Sequence, residues 1–241
     1  MDKYWLERTE LLVKEEGLDK LIKANVLVVG LGGVGSFAAE FLARAGVGNM
    51  TIVDGDTVDI TNINRQLPAL HSTVGKHKVD VVAERLLDIN PQLSLTKINE
   101  FLNPERMDEV LDSAKFDYVL DCIDSVTPKL SLIIAAKRRR IKIVSSMGAG
   151  GKTDPSKVLV RDISKTEHCH LARQVRKRLK KVKIDKGVRC VFANDIQDEE
   201  SLKMTDGTNY KRSFYGTISY MPAIFGLYTA SEVINHLLNQ D

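Results

Sequence analysis

Four glycines, two acids and two cations have the types and spacing to hold a phosphorylated nucleotide. Gly30, Gly32, Gly33 and Gly35 punctuate Gly30-Leu31-Gly32-Gly33-Val34-Gly35. Such a loop turns tightly, brings backbone N–H groups close to an anion and aims the positive end of the following helix at it. Asp54 follows at the interval expected of an acid that hydrogen-bonds a ribose. That combination says nucleotide without saying which one. Arg65 and Lys78 narrow the choice, because a triphosphate needs such cations and a dinucleotide pyrophosphate, already stabilised by a helix end, mostly does not. Asp124 closes Val119-Leu120-Asp121-Cys122-Ile123-Asp124, at the carboxyl end of a buried strand, where a magnesium ion on the phosphates could be held. Asp121 has the commoner fate of an acid that caps or braces its loop.

These residues need elements to position them. Val26 to Val29 is a short apolar run, β-branched enough for a buried strand, and an amphipathic helix follows to about Ala45. Met50 to Val53 is a second strand. Residues 4 to 23 read as one or two helices interrupted at Gly17, with Leu6, Leu11, Leu12, Leu18, Leu21 and Ile22 as apolar positions. Gly75 to Ile89 reads as a helix with Val79, Val82, Leu86 and Leu87 inward. Then come a strand (Leu93 to Ile98), a short helix (Pro104 to Leu111), a strand (Phe116 to Leu120), a helix (Val126 to Arg139) and a strand (Ile141 to Ser145). This alternation implies an α/β fold: a doubly wound, mostly parallel Rossmann-like sheet with helices on both faces. Beyond Ser145 the pattern changes to the loop Gly148-Ala149-Gly150-Gly151-Lys152-Thr153-Asp154-Pro155 and a strand, Val158 to Ile163. Asn194 to Asp206 reads as a mobile crossover loop, Tyr215 to Ser219 as a last strand, and Pro222 to Leu238 as a buried or dimer-facing helix. The fold is thus extended by a C-terminal antiparallel portion and helix. The chain is read as a single domain, 1–241, with a nucleotide-binding half, 1–147, and a substrate-binding and dimer half, 148–241.

Composition adds bounds. Lys+Arg 35 against Asp+Glu 32 gives a net charge of +3, so a nucleic-acid role must rest on local clustering. Cys122, Cys169 and Cys190 form no C-x-x-C pair, which fits a reducing cytosol and a cytoplasmic protein. Met1 to Trp5 is followed by charged residues, unlike a signal peptide. Between Arg173 and Arg189 nine cations, including Arg173, Arg176, Lys177, Arg178, Lys180 and Lys181, face one acid, Asp185. A charge run is usually a solvated face, yet this one could follow a phosphate backbone. Lys137-Arg138-Arg139-Arg140 with Lys142 is a second cluster. With no aromatic interleaved, base stacking would come from elsewhere, such as Phe214, Tyr215 or Tyr220. In His168-Cys169-His170 neighbouring side chains would point to opposite sides, so a metal site is not expected.

The glycine loop, Asp54-x-Asp56, Asn62-x-Asn64-Arg65-Gln66, Lys78 and Asp124 occur in the order found in the adenylating domain of the ubiquitin-activating superfamily. The chain resembles that domain over roughly its first two-thirds; the superfamily includes the molybdopterin and thiamine sulfur-carrier adenylyltransferases. The loop Gly148 to Pro155, Asp124-Ser125 in place of the usual Asp-Asn, and Cys190-Val191-Phe192 resemble one subgroup, the bacterial tRNA threonylcarbamoyladenosine dehydratases. The resemblance implies ATP with Mg²⁺ as cofactors and tRNA as substrate. ATP would contact Gly30, Gly32, Gly33, Gly35, Asp54, Asp56, Thr61, Asn62, Arg65, Lys78, Asp124 and Ser125, with Asp124 on the metal. It implies a homodimer in which Arg8 reaches the partner's ATP phosphates, so that Arg8, Arg65, Lys78 and Asp124 form the catalytic set; from spacing alone Arg8 is equally a solvated helix arginine. A cysteine-desulfurase or sulfur-acceptor system is a further partner the resemblance admits. The expected reaction is adenylation of a carboxylate followed by ring closure. The sulfur-carrier branch, acting on a protein ending in Gly-Gly, is the alternative, but its two zinc-holding C-x-x-C pairs are missing here. An NAD-linked oxidoreductase would leave Arg65, Lys78 and Asp124 without work.

Overall fold

The computed structural model describes residues 4–204 and 213–239; Met1 to Lys3, Thr205 and Asp206 of the expected crossover, and the remaining few lie outside the described residues. The fold is built on β1 (Asn25–Val29), which pairs in parallel with β2 (Asn49–Val53) on one side and β4 (Tyr118–Asp121) on the other. The full sheet runs β3-β2-β1-β4-β5-β7-β6, adding β3 (Ser94–Ile98), β5 (Lys142–Ser146), β7 (Arg189–Ala193) and β6 (Val158–Asp162). All pairings are parallel except that of β6 with β7 at the edge. The chain winds outward from β1 through β2 and β3, then returns to β4 on the other side. That reversal opens a crevice at the carboxyl ends of β1 and β4, where doubly wound sheets take their ligands.

Side chains alternate across the sheet, and β1 feeds two cores. Val26 and Val28 join α1 (Glu7–Lys23), α2 (Gly35–Arg44), α3 (Lys78–Ile89) and α7 (Tyr220–Leu238) on one face. Leu27 and Val29 join α4 (Pro104–Asp112), α5 (Val126–Arg138) and α6 (His170–Lys181) on the other. The apolar C-terminal helix is therefore a core helix. It crosses α2 at Gly226, where a Cβ would meet the Val34 carbonyl oxygen at 2.6 Å. Among the described residues no helix is long and apolar enough to cross a membrane.

Several boundaries differ from the sequence reading. The break in α1 falls at Lys14 (φ 65, ψ 169), while Gly17 stays helical, its bare Cα fitting where a Cβ would press on Val13 and Leu238. Gly75 adopts φ +86 in a turn, so α3 begins only at Lys78. Leu87 points to solvent, since of two adjacent helical residues only Leu86 can face the core. The expected crossover holds a short strand, β8 (Leu202–Met204), paired with β9 (Ser213–Tyr215); the last strand ends at Tyr215, and α7 starts two residues before Pro222.

Candidate active site

The glycine loop is shaped by close approach. Gly30 adopts φ +91 and its N–H donates to Val53 O at 2.8 Å; a Cβ on Gly35 would collide with the Gly30 carbonyl. At Gly33 a Cβ would stand 2.9 Å from Pro222, so α7 begins directly against the loop. No side chain caps the N-terminus of α2; the Ser36 N–H donates to Gly32 O at 3.3 Å, and the positive end of the helix faces the glycine loop, where an anion is favoured. Gly35→Ala is expected to abolish nucleotide binding by forcing the turn open; titration with a fluorescent ATP analogue checks this.

Asp54 braces this loop. Its carboxylate accepts from the N–H of Leu31 (2.6 Å) and of Asp56 (2.8 Å), and burial pushes its pKa up against the pull of Lys78. Lys78, its stem buried at the first turn of α3, donates to Asp56 Oδ2 at 2.9 Å. Between them the short turn Ile60–Asn62 is capped by Asp59, which accepts from Thr61 N–H and hydroxyl, while Asn62 Oδ1 takes the Asp59 N–H. Arg65 folds back onto Thr61 O (2.9 Å) and Asn64 Oδ1 (2.8 Å), and Asn64 donates to Thr217 O. Partial burial lowers the Arg65 pKa and the Asp124 carboxylate opposes it, so the cation from after β2 and the acid from after β4 lie in one field. Asp124 is exposed and accepts from Ser125 Oγ at 3.3 Å. The expected phosphate cations, ribose acid and candidate metal acid are thus gathered around the glycine loop.

Beneath the crevice lies a network the sequence reading missed. Asp121, fully buried, takes bonds from Lys129 Nζ (2.8 Å), Ser145 Oγ (2.6 Å) and Ile123 N–H (3.1 Å), so it does brace its loop. Lys129 also donates to Ser146 O at 2.9 Å, tying β4 to β5 below Asp124. The signal was there: Lys129 shares the inward face of α5 with Ile133 and Ala136. A second buried ammonium, Lys152, reaches Ala193 O (2.7 Å), Asp195 O (2.8 Å), Asp195 Oδ1 (3.0 Å) and His168 O (3.2 Å). It pins the glycine-rich loop, the start of α6 and the end of β7 together, and no periodic pattern in the sequence announces it.

The cysteines pack. Burial pushes the Cys122 thiol up to about 12 and the Cys190 thiol well above its usual value. His168 and His170 are exposed while Cys169 between them is buried, so the three do not converge.

The basic run divides on α6. Ala172, Val175 and Leu179 face the core, while Arg173, Lys177, Arg178, Lys180 and Lys181 are exposed. Arg176 departs from the expected RNA-contact set: it turns inward and donates to Thr166 O at 2.6 Å. Arg189, the last cation of the run, pairs with Glu232, and Arg139 of the second cluster pairs with Asp108 and Asp112, so both clusters are thinner than they read. Arg8 is exposed on α1, beside Leu11 and Leu12, which are 68% and 82% exposed.

Residues 6–241 match the ThiF family model. A Bacillus subtilis tRNA threonylcarbamoyladenosine dehydratase is 40% identical over 238 residues, covering 96% of this chain and 93% of that protein. The crystal structure of the Escherichia coli tRNA N6-threonylcarbamoyladenosine dehydratase in complex with ATP superposes with a TM-score of 0.89 at 36% identity, covering 99% and 96% of the two chains. Similarity to the E. coli molybdopterin-synthase adenylyltransferase, 38% over 130 residues, spans 54% of this chain and 51% of the other. The chain belongs to the ThiF family, in the branch of its tRNA threonylcarbamoyladenosine dehydratases.

Proposed function

We propose that this protein is an ATP-dependent dehydratase that cyclises the threonylcarbamoyl side chain of N6-threonylcarbamoyladenosine in tRNA through an acyl-adenylate. The observation that carries the reading is the gathering of Arg65, Lys78 and Asp124 around the glycine loop. The likeness to the E. coli enzyme with ATP supports it, and the likeness to the sulfur-carrier branch stops at about half the chain.

ATP lies on the glycine loop with its ribose on Asp54. Asn62, Arg65 and Lys78 hold the phosphates, with Asp56, Thr61 and Ser125 at the rim. Swinging off the neutral Asn64 amide costs Arg65 little, because its bond to a phosphate oxygen is charge-assisted, and Lys78 exchanges the Asp56 carboxylate for another anionic acceptor. Asp124 fits a magnesium ion, which uses one or two carboxylates together with substrate phosphates. Mg²⁺ there would neutralise charge on the phosphates. The substrate carboxylate oxygen bonds to the α-phosphorus in line and pyrophosphate leaves, a step that needs alignment and charge neutralisation. A nitrogen of the same side chain then bonds to the acyl carbon, AMP leaves with the former carboxylate oxygen, and the nitrogen gives up its proton. The water lost overall is accounted for by the cleavage of ATP.

A homodimer completes this reading. The exposed Leu11 and Leu12 offer apolar surface for a second copy, and Arg8 on the same turn would reach the neighbour's phosphates. A cytoplasmic setting follows from the tRNA substrate, and a sulfur-acceptor system is a partner the family leaves open. The exposed cations of α6 would track the tRNA backbone. Lys177→Glu with Lys180→Glu and Lys181→Glu is expected to weaken tRNA binding and flatten its salt dependence by about 0.7–0.9 in log–log slope for each phosphate no longer neutralised, the range spanned by single-stranded and duplex nucleic acid. ATP affinity should stay as in the parent. Incubating the protein with ATP and threonylcarbamoylated tRNA, then weighing the nucleoside, tests the function. Loss of one water is expected; an unchanged mass with ATP-binding protein would refute it.

A further inference from the structure

The ion pair of Lys129 with Asp121 lies under the crevice and has no part yet in the chemistry. Both side chains are fully buried. A buried pair often holds a fold no better than two apolar side chains of similar volume, so stability is a weak reason for it. Its geometry points upward instead. Asp121 Oδ1 accepts from the Ile123 N–H at 3.1 Å, which bends the chain after β4 into the turn that delivers Asp124. Asp121 Oδ2 accepts from Lys129 Nζ at 2.8 Å and Ser145 Oγ at 2.6 Å, so the carboxylate cannot rotate away from that task. Lys129 in turn donates to Ser145 Oγ at 3.2 Å and Ser146 O at 2.9 Å, which anchors the turn to β5. The strand side of the turn is fixed separately. Cys122 N–H donates to Val29 O at 2.9 Å, and a Cβ on Gly30 would stand 2.9 Å from Cys122 O. What the pair adds is the course of the chain beyond Cys122, where Ile123 and Asp124 stand.

We infer that Lys129 and Asp121 are positioning residues, which hold Asp124 where its carboxylate can meet a magnesium ion on the phosphates of ATP. This rests on the metal reading of Asp124 above and extends it to a buried pair that touches neither nucleotide nor metal. A carboxylate that binds a metal is itself oriented by groups behind it, and removing such a group weakens metal binding by about 10–100-fold. The glycine loop and Asp54 do not depend on the pair, because Leu31, Asp56 and Val53 hold them.

Calorimetric titration of the full chain with ATP over a series of Mg²⁺ concentrations tests this, with metal-free ATP as the reference. Replacing Lys129 and Asp121 together by leucine removes the network and leaves no buried charge. In that variant the Mg²⁺ concentration that half-maximally strengthens ATP binding should rise by about 10–100-fold, while affinity for metal-free ATP and for AMP stays as in the parent. Ser145→Ala, which takes one of the bonds from Asp121 and keeps the ion pair, should shift it in the same direction by less; it carries the test alone if the double variant does not fold. A pair that only supported the fold would leave the Mg²⁺ requirement unmoved, or weaken ATP equally with and without the metal. Either result would overturn the inference while leaving the nucleotide site intact. A parent protein whose ATP binding ignored Mg²⁺ would overturn the metal reading of Asp124 and this inference together.

Discussion

Lys129→Met is expected to destabilise the protein by about 3–5 kcal/mol, a large part of the roughly 5–15 kcal/mol that holds a domain together. Methionine fills the volume of the lysine stem, so the loss is one of charge compensation. Asp121 would remain fully buried with Ser145 and the Ile123 N–H as its polar partners. Burial already pushes the Asp121 carboxyl up, against the attraction of Lys129, and without the ammonium its pKa climbs further. The sign of the pH dependence follows. A carboxyl whose folded pKa lies above its unfolded value favours the folded state when protonated, and that contribution is lost as pH rises through the folded pKa. The gap in unfolding free energy between variant and parent should therefore narrow as pH falls from neutral toward about 4, the unfolded value. Urea titrations of both proteins across that range check it. Replacing Asp121 and Lys129 together by leucine should recover much of the loss, since an apolar pair leaves no buried charge.

Arg65→Ala is expected to lower the rate of adenylation by about 10²–10³, the usual cost of removing one pre-aimed electrostatic group from a reacting centre. Arg65 is half held in place before the nucleotide arrives, by Thr61 O and Asn64 Oδ1, and Asp124 draws its charge toward the crevice. Its removal leaves charge on the departing pyrophosphate uncompensated. ATP–pyrophosphate exchange in the presence of modified tRNA reads that step alone. The fall should appear mainly in kcat, with ATP affinity reduced much less, because Lys78 and the glycine loop still bind ground-state phosphates. Arg65→Lys should recover only part of the rate, as a point charge cannot reproduce a planar fork.

Much of this site was legible because its parts obey local rules. The run Val26–Val29, the glycines and Asp54 are each dictated by backbone geometry within a few residues, and the structure places them together. Where contacts come from far along the chain, the sequence is less readable. Gly17 looked like a helix break, yet it is there so that α1 can approach Leu238. Arg176 looked like part of a basic face, yet Thr166, ten residues earlier, claims it. Lys129 could have been found, since a lysine on the inward stripe of an apolar helix demands an acid, and Asp121 was at hand. Lys152 could not, because its oxygen partners on His168, Ala193 and Asp195 converge only once β7 and the start of α6 are folded.

The central claim is that this chain turns a carboxylate oxygen into part of a leaving AMP, and oxygen-18 in the threonylcarbamoyl carboxylate tests it most directly. After one turnover with ATP, AMP should carry one heavy oxygen on its phosphate, and pyrophosphate should carry none. Heavy oxygen recovered in water or in inorganic phosphate, with unlabelled AMP, would contradict it.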